Sequence, residues 1–382
     1  MKVVHLTSVH SAFDVRIFKQ CRTLAAVGYE VVIIAPHAQT ITRDGVRVHP
    51  IARPASRYRR MVVTVPNVLK AAISEKADTY AFHDPELIPA GLILRLIGKK
   101  VVYDVHEDYP VRIQAKEWIP RGLRTAIARS FGFFEKLAAR AFSGIVAATP
   151  EIARKFPSAG VALVMNFPES SWCIPAEGAE YSKRESSMAY FGVISEDRGI
   201  FDMLEAAADI GRVRELRLLL AGRLQPPNLL DTLKQMPGWE HTEYLGVLDR
   251  DEIRAALGRV RAGLSLLHAT PGYAEALPTK VFEYMSAGIP VVASDFSILR
   301  TVIGENKCGL LVEPGNRPAI ARAVTWLLDR PAEAEEMGQR GIHAVKADYS
   351  WEGQSQNLAN LYAKLMPAIG SVQPGTARVR NV

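Results

Sequence analysis

The stretch PGYAEALPTKVFEYMSAGIPVVASD at positions 271–295 combines a helix signal with the signal of a buried strand. Pro278 suits the start of a helix near Thr279, because proline lacks the N–H that a first turn leaves unbonded. Gly288 then marks the helix end, and the apolar run at 290–293 is typical of a strand buried on both faces. This order, repeated along the chain, predicts a parallel sheet covered by helices on both sides.

The alternation of strands and helices extends over most of the chain. Strands are predicted at 3–6, 29–35, 79–82, 100–105, 144–148, 189–193, 217–221, 263–267, 290–293 and 309–312. Helices are predicted at 17–27, 87–97 and 123–142, between the later strands, and near 357–366. The polar stretch at 165–187 interrupts the pattern and predicts a domain junction.

A chain of 382 residues exceeds the size at which a single core stops growing, so two domains are expected. We predict an α/β protein with two Rossmann-like, doubly wound domains that face a central cleft. The predicted boundaries are a first domain at 1–168, a linker at 169–187, a second domain at 188–348, a closing helix at 349–368 and a mobile tail at 369–382. The closing helix is expected to cross back to the first domain.

Composition excludes several protein classes. The chain is 48% hydrophobic and 23% charged, as ordinary globular proteins are. Its three cysteines lie far apart, without metal-ligand or disulfide spacing, which fits a reducing cytosol. The start MKVVHLTS does not resemble a signal peptide, and no apolar run is long enough to predict a membrane span.

Positive charge is concentrated in the first half. Residues 1–168 hold 24 lysines and arginines against 13 acidic residues, whereas the remainder holds 23 against 27. Nucleic acid is not predicted as a partner, because no binding motif accompanies the charge. The basic residues cluster at 53–60 and along the helix predicted at 123–142.

That helix admits two interpretations. In the first, an apolar face packs on the core while a basic face is solvated. The apolar face comprises Leu123, Ile127, Phe131, Phe134 and Ala138, and the basic face comprises Arg121, Arg129, Lys136 and Arg140. In the second, the helix joins the basic run at 53–60 as a surface for anionic lipid or a lipid-diphosphate acceptor, with Trp118 as an interfacial anchor.

Glu275 and Glu283 are the candidate binding residues of the opening stretch. At about 1.5 Å of rise per helical residue, one ligand lying along the helix start could touch both carboxylates. The free N–H groups of the first turn would accept a phosphate between them. Alternatively, both are solvated surface glutamates, and their spacing taken alone favours this second interpretation.

Several motifs, in order, resemble family 4 of the glycosyltransferases, which are retaining enzymes with the GT-B fold. The resemblance is carried by FHDPELIP (82–89), VVYDVHEDYP (101–110), YFGVISEDRGI (190–200), the Glu-x7-Glu stretch within 246–303, NKCGLLVEPGN (306–316) and YSWEGQSQNLANLY (349–362). It implies an acceptor-side first domain and a second domain that binds a nucleotide-sugar. No cofactor or metal is implied, because the nucleotide-sugar is a substrate.

The resemblance implies roles for individual residues. Catalytic positions would be His106, near the transferred sugar, Glu275, on the sugar hydroxyls, and Arg198, which neutralises the departing diphosphate. Glu283 would accept hydrogen bonds from both ribose hydroxyls. Further donor contacts would come from Lys280, Thr279, Leu277, Gly192 and Val247.

Two departures from the family pattern affect the site. Val193 stands where the family usually has an arginine, and Lys280 is our candidate for the missing cation. The usual glycine pair after the first strand is replaced by SVHSAFDVRIF (8–18), where Asp14 or Arg16 is either a site residue or a salt-bridged loop residue. His10 and Asp84 complete the acceptor-side candidates, and a turn role is the alternative for each of them.

The expected function is transfer of a sugar from a nucleotide-diphosphate donor to a glycan or lipid-linked glycan in surface or exopolysaccharide biosynthesis. The expected location is the cytoplasm, with peripheral attachment to the inner face of the plasma membrane as a further hypothesis. Alternatives are a nucleotide-sugar epimerase of the same architecture and a nucleotide-binding protein without catalysis. A metal at Asp249 and Asp251 is a weaker alternative, because Asp249 also suits the cap of a helix.

Overall fold

The structure, a computed structural model, describes residues 1–54, 56–114, 116, 118–156, 160–170, 180–270, 273 and 277–367. The chain divides into two compact units. The first comprises Met1–Asn166 and the last helix from Glu352 onward, and the second comprises Phe167–Trp351. Each unit contains one sheet with its own hydrophobic core.

The first unit contains a sheet in the order β3-β4-β2-β1-β5-β6-β7-β8. Its strands are β1 (Lys2–Leu6), β2 (Glu30–Pro36), β3 (Ile41–Arg43), β4 (Val46–Ile51), β5 (Thr79–Phe82), β6 (Lys100–Val105), β7 (Gly144–Ala147) and β8 (Val161–Leu163). All neighbouring strands pair in parallel except β3 and β4. The central strands are buried almost completely, as expected for a parallel sheet between helical layers.

Helices of the first unit connect consecutive strands. They are α1 (Val15–Ala26), α2 (Arg57–Arg59), α3 (Val65–Ser74), α4 (Ile88–Leu96), α5 (Tyr109–Gln114), α6 (Arg121–Ala139) and α7 (Pro150–Arg154). A π-helical turn at Arg60–Thr64 joins α2 to α3. Two of these helices begin at capping side chains: Asp14 accepts from two N–H groups of α1, and Thr149 accepts from one of α7.

The last helix of the chain packs on the first unit, which confirms the predicted return of the C-terminal helix. This helix is α15 (Trp351–Leu365). Within the unit, Gln354 accepts a hydrogen bond from the Met165 N–H at 3.0 Å, and Leu361 lies against Gly144. A leucine side chain fits there because Gly144 carries no Cβ of its own.

The second unit contains a parallel sheet in the order β11-β10-β9-β12-β13-β14. Its strands are β9 (Ser187–Phe191), β10 (Arg217–Ala221), β11 (Thr242–Tyr244), β12 (Ala262–Ser265), β13 (Val291–Ser294) and β14 (Gly309–Val312). Its helices are α8 (Ile200–Gly211), α9 (Leu229–Leu233), α10 (Arg250–Leu257), α11 (Thr279–Ser286), α12 (Ser297–Leu299), α13 (Arg317–Asp329) and α14 (Pro331–Asp348). Two units with one largely parallel sheet each confirm the predicted fold class.

Helix α6 confirms only part of its predicted orientation. Of the predicted core face, Ala138 is buried and Phe131 packs partly buried against the core, whereas between 42% and 55% of Leu123, Ile127 and Phe134 is exposed. The other buried residues of the helix are Ala128, Ala139 and Glu135. Small side chains allow the helix to approach its neighbours closely, and the Glu135 carboxylate is satisfied by the Tyr103 hydroxyl at 2.7 Å.

Asp249 begins α10 as a capping residue. Its carboxylate accepts from the N–H groups of Asp251 and Glu252, and Glu252 accepts in return from the Asp249 N–H. This reciprocal arrangement is a capping box.

Among the described residues, no helix combines the length and the apolar character that crossing a bilayer requires.

Candidate functional site

Three neighbouring strands of the second unit each lead into a glycine with a positive φ angle. Gly192 (φ 144°), Gly222 (φ 137°) and Gly246 (φ 72°) follow β9, β10 and β11. A Cβ on Gly222 would lie 1.7 Å from the Gly192 carbonyl oxygen, so a side chain there is impossible without moving the backbone. Gly222 is therefore required by the packing of one loop against the next, whereas a Cβ on Gly246 would meet nothing within 4 Å, so the edge is open at Gly246.

Val247 follows this glycine edge directly and is largely exposed, with 74% of its surface accessible. A largely exposed valine beside three glycines offers apolar contact without blocking the edge. Its position, immediately after Gly246, is consistent with a role in binding a flat ring. Leu277, the other apolar donor-side candidate, is half-buried before α11.

Arg198 lies in a 3-10 turn (Glu196–Arg198) after the first strand of this unit. Its guanidinium interacts with Tyr190 and Tyr273, and its central carbon lies 5.8 Å from the centroid of the Tyr273 ring. Burial acts to lower the pKa of Arg198, but the two phenols outweigh burial, and the pKa is raised. Tyr273 is itself fixed, since its hydroxyl donates to Asp197 at 2.7 Å. Arg198 is therefore a permanent cation held in a defined place.

The helix α11 begins at Thr279, as the sequence predicts. Pro278 at the N-cap has no side chain that could cap the first turn, and within the described part of the chain no carboxylate or hydroxyl caps the N–H groups of Thr279 and Lys280. Glu283 lies in the second turn and is half-buried. Glu275, predicted to hold the sugar, lies outside the described residues.

Lys280 is buried at the start of this helix, with 5% of the residue exposed. Its Nζ donates to the Tyr190 hydroxyl at 2.9 Å and lies 4.0 Å from the centroid of the Tyr190 ring. Burial, followed by the neighbouring charge of Arg198, lowers the pKa of Lys280 to about 7. The structure thus places the ammonium group of Lys280, which belongs to α11, beside the Gly192 loop. This ammonium group titrates near neutral pH.

The acceptor-side candidates of the first unit form an ion cluster at the carboxyl ends of β1 and β5. His10 contacts Asp84 through Nε2 at 3.2 Å and Asp14 through Nδ1 at 3.6 Å. Asp84 also accepts from the Thr7 hydroxyl at 2.8 Å and from the Ser8 N–H at 2.6 Å. The structure therefore brings together His10, Asp14 and Asp84, which the sequence predicted as site candidates. Thr7 and Ser8, which also contact Asp84, were not predicted.

The electrostatics of this cluster favour its charged form. The hydrogen bonds to Asp14 and then to Asp84 raise the pKa of His10 to about 10. Burial acts to raise the pKa of Asp84, but His10 and the Ser8 and Thr7 donors lower it to about 2. His10 is accordingly an imidazolium at neutral pH.

His106 follows β6 and is half-buried. Its ring meets the ring of His10 edge to face, with the centroids 5.2 Å apart. Burial lowers the pKa of His106, so its imidazole is neutral beside the charged ring of His10. Its Nδ1 is buried and makes no hydrogen bond within the described part of the chain. The two histidines thus differ in charge and in hydrogen-bonding capacity.

Arg16 is committed to a buried ion pair. It belongs to α1 rather than to a loop, and its guanidinium donates to both carboxylate oxygens of Asp104, at 2.6 and 3.1 Å. A third bond reaches the Val164 carbonyl oxygen at 2.8 Å. Of the two roles considered for Arg16, this geometry favours the salt-bridged one, because few donors remain for a ligand.

Asp104 was not singled out from the sequence, although a carboxylate inside the apolar strand VVYDV was a usable signal. It also accepts from His83 Nδ1 at 2.8 Å and from the Gln20 amide at 2.9 Å. Ligand atoms of His83, Asp104 and His106 lie within 4.8 Å of one another. The donor set does not fit a cation, because the guanidinium of Arg16 already occupies both oxygens of Asp104.

Two family models match the chain in succession. One, described as a glycosyl transferase 4-like domain, matches residues 14–164, and the other, described as glycosyl transferases group 1, matches residues 178–344. The chain is 23% identical to the MMP alpha-(1->4)-mannosyltransferase of Mycolicibacterium hassiacum over 315 residues, which is 78% of this chain and 73% of that protein. Several other curated relatives match over about half of their length or less.

Solved structures share the two-domain fold. Sucrose-phosphate synthase from Thermosynechococcus elongatus superimposes with a TM-score of 0.78 at 18% identity, covering 96% of this chain and 99% of that one. Anabaena HepE in complex with UDP and glucose gives a TM-score of 0.73 at 14% identity, with 95% and 100% covered. These similarities confirm the predicted GT-B fold.

Proposed function

Because the chain belongs to the group 1 glycosyltransferases, we propose that it transfers a sugar from a nucleoside-diphosphate donor to a glycan or lipid-linked glycan, with retention and without a metal. The observation that carries this proposal is the arrangement in the second unit. A glycine edge, the fixed cation Arg198 and an uncapped helix start converge near Gly192. Such a combination suits a diphosphate.

The chemistry follows from where charge develops. As the bond between the anomeric carbon and the donor phosphate breaks, negative charge grows on the departing diphosphate. Arg198 and the N–H groups of α11 would stabilise that charge without reorganising. Glu283 would accept hydrogen bonds from the ribose, and Glu275 from the transferred sugar. On the acceptor side, the neutral His106 would face the sugar and His10 would carry positive charge.

A nucleoside-diphosphate sugar as the donor is supported by a structural neighbour, because Anabaena HepE is solved in complex with UDP and glucose. A thermal-shift screen tests the proposal with UDP, GDP, ADP and dTDP and with the glucose and mannose conjugates that exist for each. We expect one base to raise the melting temperature by several degrees at a ligand concentration of about 100 Kd. If none of these ligands stabilises the protein or serves as a donor, the proposal is wrong.

Stereochemistry and metal dependence have separate tests. With the donor identified, NMR of the product should show the anomeric configuration of the donor sugar, and EDTA should leave turnover unchanged. Inversion would contradict retention, and loss of turnover restored by a divalent cation would contradict metal independence.

Incubation of the donor alone distinguishes the two alternative functions, an epimerase and a nucleotide-binding protein without catalysis. A new sugar isomer would indicate an epimerase, and binding without transfer or hydrolysis would indicate a catalytically silent homologue.

An exposed apolar and basic surface on the first unit supports a lipid-linked acceptor. We call it the α6 surface; it comprises Leu123, Ile127, Phe133, Phe134, Leu137, Arg121, Arg129, Lys136 and Arg140. Phe133 is 73% exposed, and Trp118, just before the helix, is also exposed. A helix with aromatic and basic residues at its surface suits the interface of an anionic bilayer. We therefore propose that the protein acts in the cytoplasm, attached peripherally to the inner face of the plasma membrane.

Vesicle sedimentation tests the α6 surface. We expect binding to vesicles containing phosphatidylglycerol, little binding to phosphatidylcholine alone, and a decrease as salt rises. Phe133→Ser should weaken the binding without lowering stability, because the side chain is exposed. Val213→Ser, an exposed apolar position of the second unit, is the matched control. Equal binding to neutral and anionic vesicles, or to none, would contradict the attachment.

A further inference from the structure

The hydroxyl group of Tyr190 interacts with two cationic side chains of the second unit. It donates to the Val193 carbonyl oxygen at 2.7 Å and accepts from Lys280 Nζ at 2.9 Å. Arg198 also interacts with Tyr190. One hydroxyl thus gives its proton to the backbone, accepts from one positively charged side chain and lies close to a second. Tyr190 is buried on β9, so its position is fixed by the sheet.

The charges around Lys280 do not balance by themselves. Arg198 lowers the pKa of Lys280, and Glu283, on the next turn of the same helix, acts in the opposite direction but does not prevail. The other titratable groups close to the pair are Asp197, whose pKa is lowered despite burial by Ser195, Tyr273 and Arg198, and the phenols of Tyr190, Tyr273 and Tyr284, whose pKa values burial raises. The carboxylate of Asp197 interacts with Arg198, and the phenols are neutral, so the pKa of Lys280 stays lowered until an anion arrives beside it.

The location of Lys280 matches the residue that the family pattern lacks. A Cβ built on Gly192 would lie 3.2 Å from Lys280 Nζ, so the ammonium group lies beside the backbone of that glycine. Gly192 directly precedes Val193, where an arginine is expected. The lysine thus approaches the same loop from α11 instead of from the loop itself.

We propose that Tyr190 is a positioning residue that holds Lys280 and Arg198 as one diphosphate-binding pair, and that Lys280 takes up a proton when the diphosphate binds. This inference rests on the proposed function and deepens it. The proton passes from solvent or buffer to the lone pair of Nζ, and no other bond changes. An adjacent diphosphate favours the charged amine, whereas in the free protein burial and Arg198 disfavour it.

The measurement is isothermal titration calorimetry with UDP, or with GDP if the screen selects guanine. Titrations at pH 8 in HEPES and in Tris separate the heat of binding from the heat of buffer ionisation. With the Lys280 pKa near 7, about nine in ten sites lack the proton at pH 8, so uptake of close to one proton per bound nucleotide is expected. At pH 6 the site is already protonated, and uptake at Lys280 should vanish.

Variants test whether Lys280 is the group that takes up the proton. Lys280→Met should abolish the uptake and lower donor kcat/KM by about 100-fold, comparable to losing one charge-stabilising donor. Lys280→Arg keeps a permanent charge, so it should bind UDP with no proton uptake at pH 8. Lys234→Met, on an exposed lysine of the same unit, should behave as the wild type. Melting temperatures of all variants confirm that each one folds.

Tyr190→Phe removes the hydroxyl and keeps the ring. Without its acceptor, the ammonium form of Lys280 loses a partner, so the pH at which donor KM rises should move lower by about half a unit to one unit. A purely structural role would lower the melting temperature without moving that pH profile.

Two results would overturn the inference: wild-type affinity for UDP in Lys280→Met, or no buffer-dependent heat for the wild type at pH 8. A wild type that binds no nucleoside diphosphate and transfers no sugar would instead overturn the proposed function, and this inference with it.

Discussion

His10 and Lys280 are cationic side chains in the two units, and their surroundings shift their pKa values in opposite directions. Two carboxylates raise the pKa of His10 to about 10, whereas burial and a second cation lower the pKa of Lys280 to about 7. His10 is therefore a cation at neutral pH, and Lys280 is a group that titrates near neutral pH. The neighbours of a side chain, rather than its type, decide its charge at neutral pH.

A similar contrast holds between two buried clusters. In the first unit, Arg16 pairs with Asp104 and His10 pairs with Asp84. In the second unit, Arg198 and Lys280 both lie near Tyr190, and Arg198 lowers the pKa of Lys280. Breaking a buried pair of opposite charges destabilises a fold, whereas like charges held close together are found where a protein binds a ligand of opposite charge.

The largest effect is expected from Asp104→Asn in the first unit. The change leaves the buried guanidinium of Arg16 without its counter-ion, which should lower the free energy of unfolding by about 4 kcal/mol. Urea denaturation measures the loss. Asp44→Asn, at an exposed and more distant pair with Arg22, should stay within about 0.5 kcal/mol of the wild type. A loss below 1 kcal/mol at Asp104 would show that the buried pair is not structural.

Arg198→Ala tests the second unit. Donor kcat/KM should fall by about 100- to 1,000-fold, because a charge that stabilises the leaving group is removed. The free energy of unfolding should fall by no more than about 1 kcal/mol, because loss of the contacts with the two phenols is partly offset by relief of the repulsion toward Lys280. Arg212→Ala, on an exposed arginine of the same unit, is the control for both assays. A variant that is destabilised but keeps the wild-type kcat/KM would show that Arg198 stabilises the fold and does not act on the donor.

His10→Ala should lower the free energy of unfolding by about 2 kcal/mol at pH 7, because Asp84 loses its partner. The pKa of His10 is higher in the folded protein than in the unfolded chain, so its contribution is complete below about pH 6.5. The contribution is lost as pH rises through about 10, and there the variant and the wild type should converge. His37→Ala, in the same unit, is the matched control. A difference that persists above pH 10 would contradict the imidazolium.

The smallest effect is expected from Asp197→Asn. Tyr273 donates to Asp197, and Arg198 contacts Tyr273, so the change loosens the arginine without removing it. Donor KM should rise about threefold with little change in kcat, as expected when one neutral hydrogen bond weakens. Asp231→Asn, on an exposed residue of α9, controls for loss of negative charge. An effect as large as that of Arg198→Ala would make Asp197 itself a ligand-binding residue.

Central strands of both sheets were predictable from the sequence, because fully buried runs such as Thr79–Phe82 and the 218–221 part of Arg217–Ala221 leave a clear apolar signal. The edge strands Val161–Leu163 and Thr242–Tyr244 were missed, since three half-buried residues show no periodicity. The helices at Arg57–Ser74 were also missed. Their outward residues Met61, Val62 and Val63 are apolar and exposed, which obscures an amphipathic pattern.

The candidate site was predictable only in part. Motif order along the chain identified Arg198, Lys280 and the start of α11, and it identified His10, Asp84 and His106 in the first unit. It did not identify Tyr190 as the group that joins two cations, because a tyrosine in an apolar strand is typical of a core. Asp104 was missed for a similar reason: its partner Arg16 lies 88 residues away in sequence.

Hydrophobic periodicity and local motifs are encoded over short distances, so the two α/β units, the family and the candidate site residues could be predicted from the sequence alone. The charge that those candidate residues carry could be read only from the folded protein. A pKa depends on burial and on charges brought together from distant segments, and no local pattern records those neighbours. The same reason explains α6, whose outward apolar residues and buried Glu135 follow from what the fold places beside them.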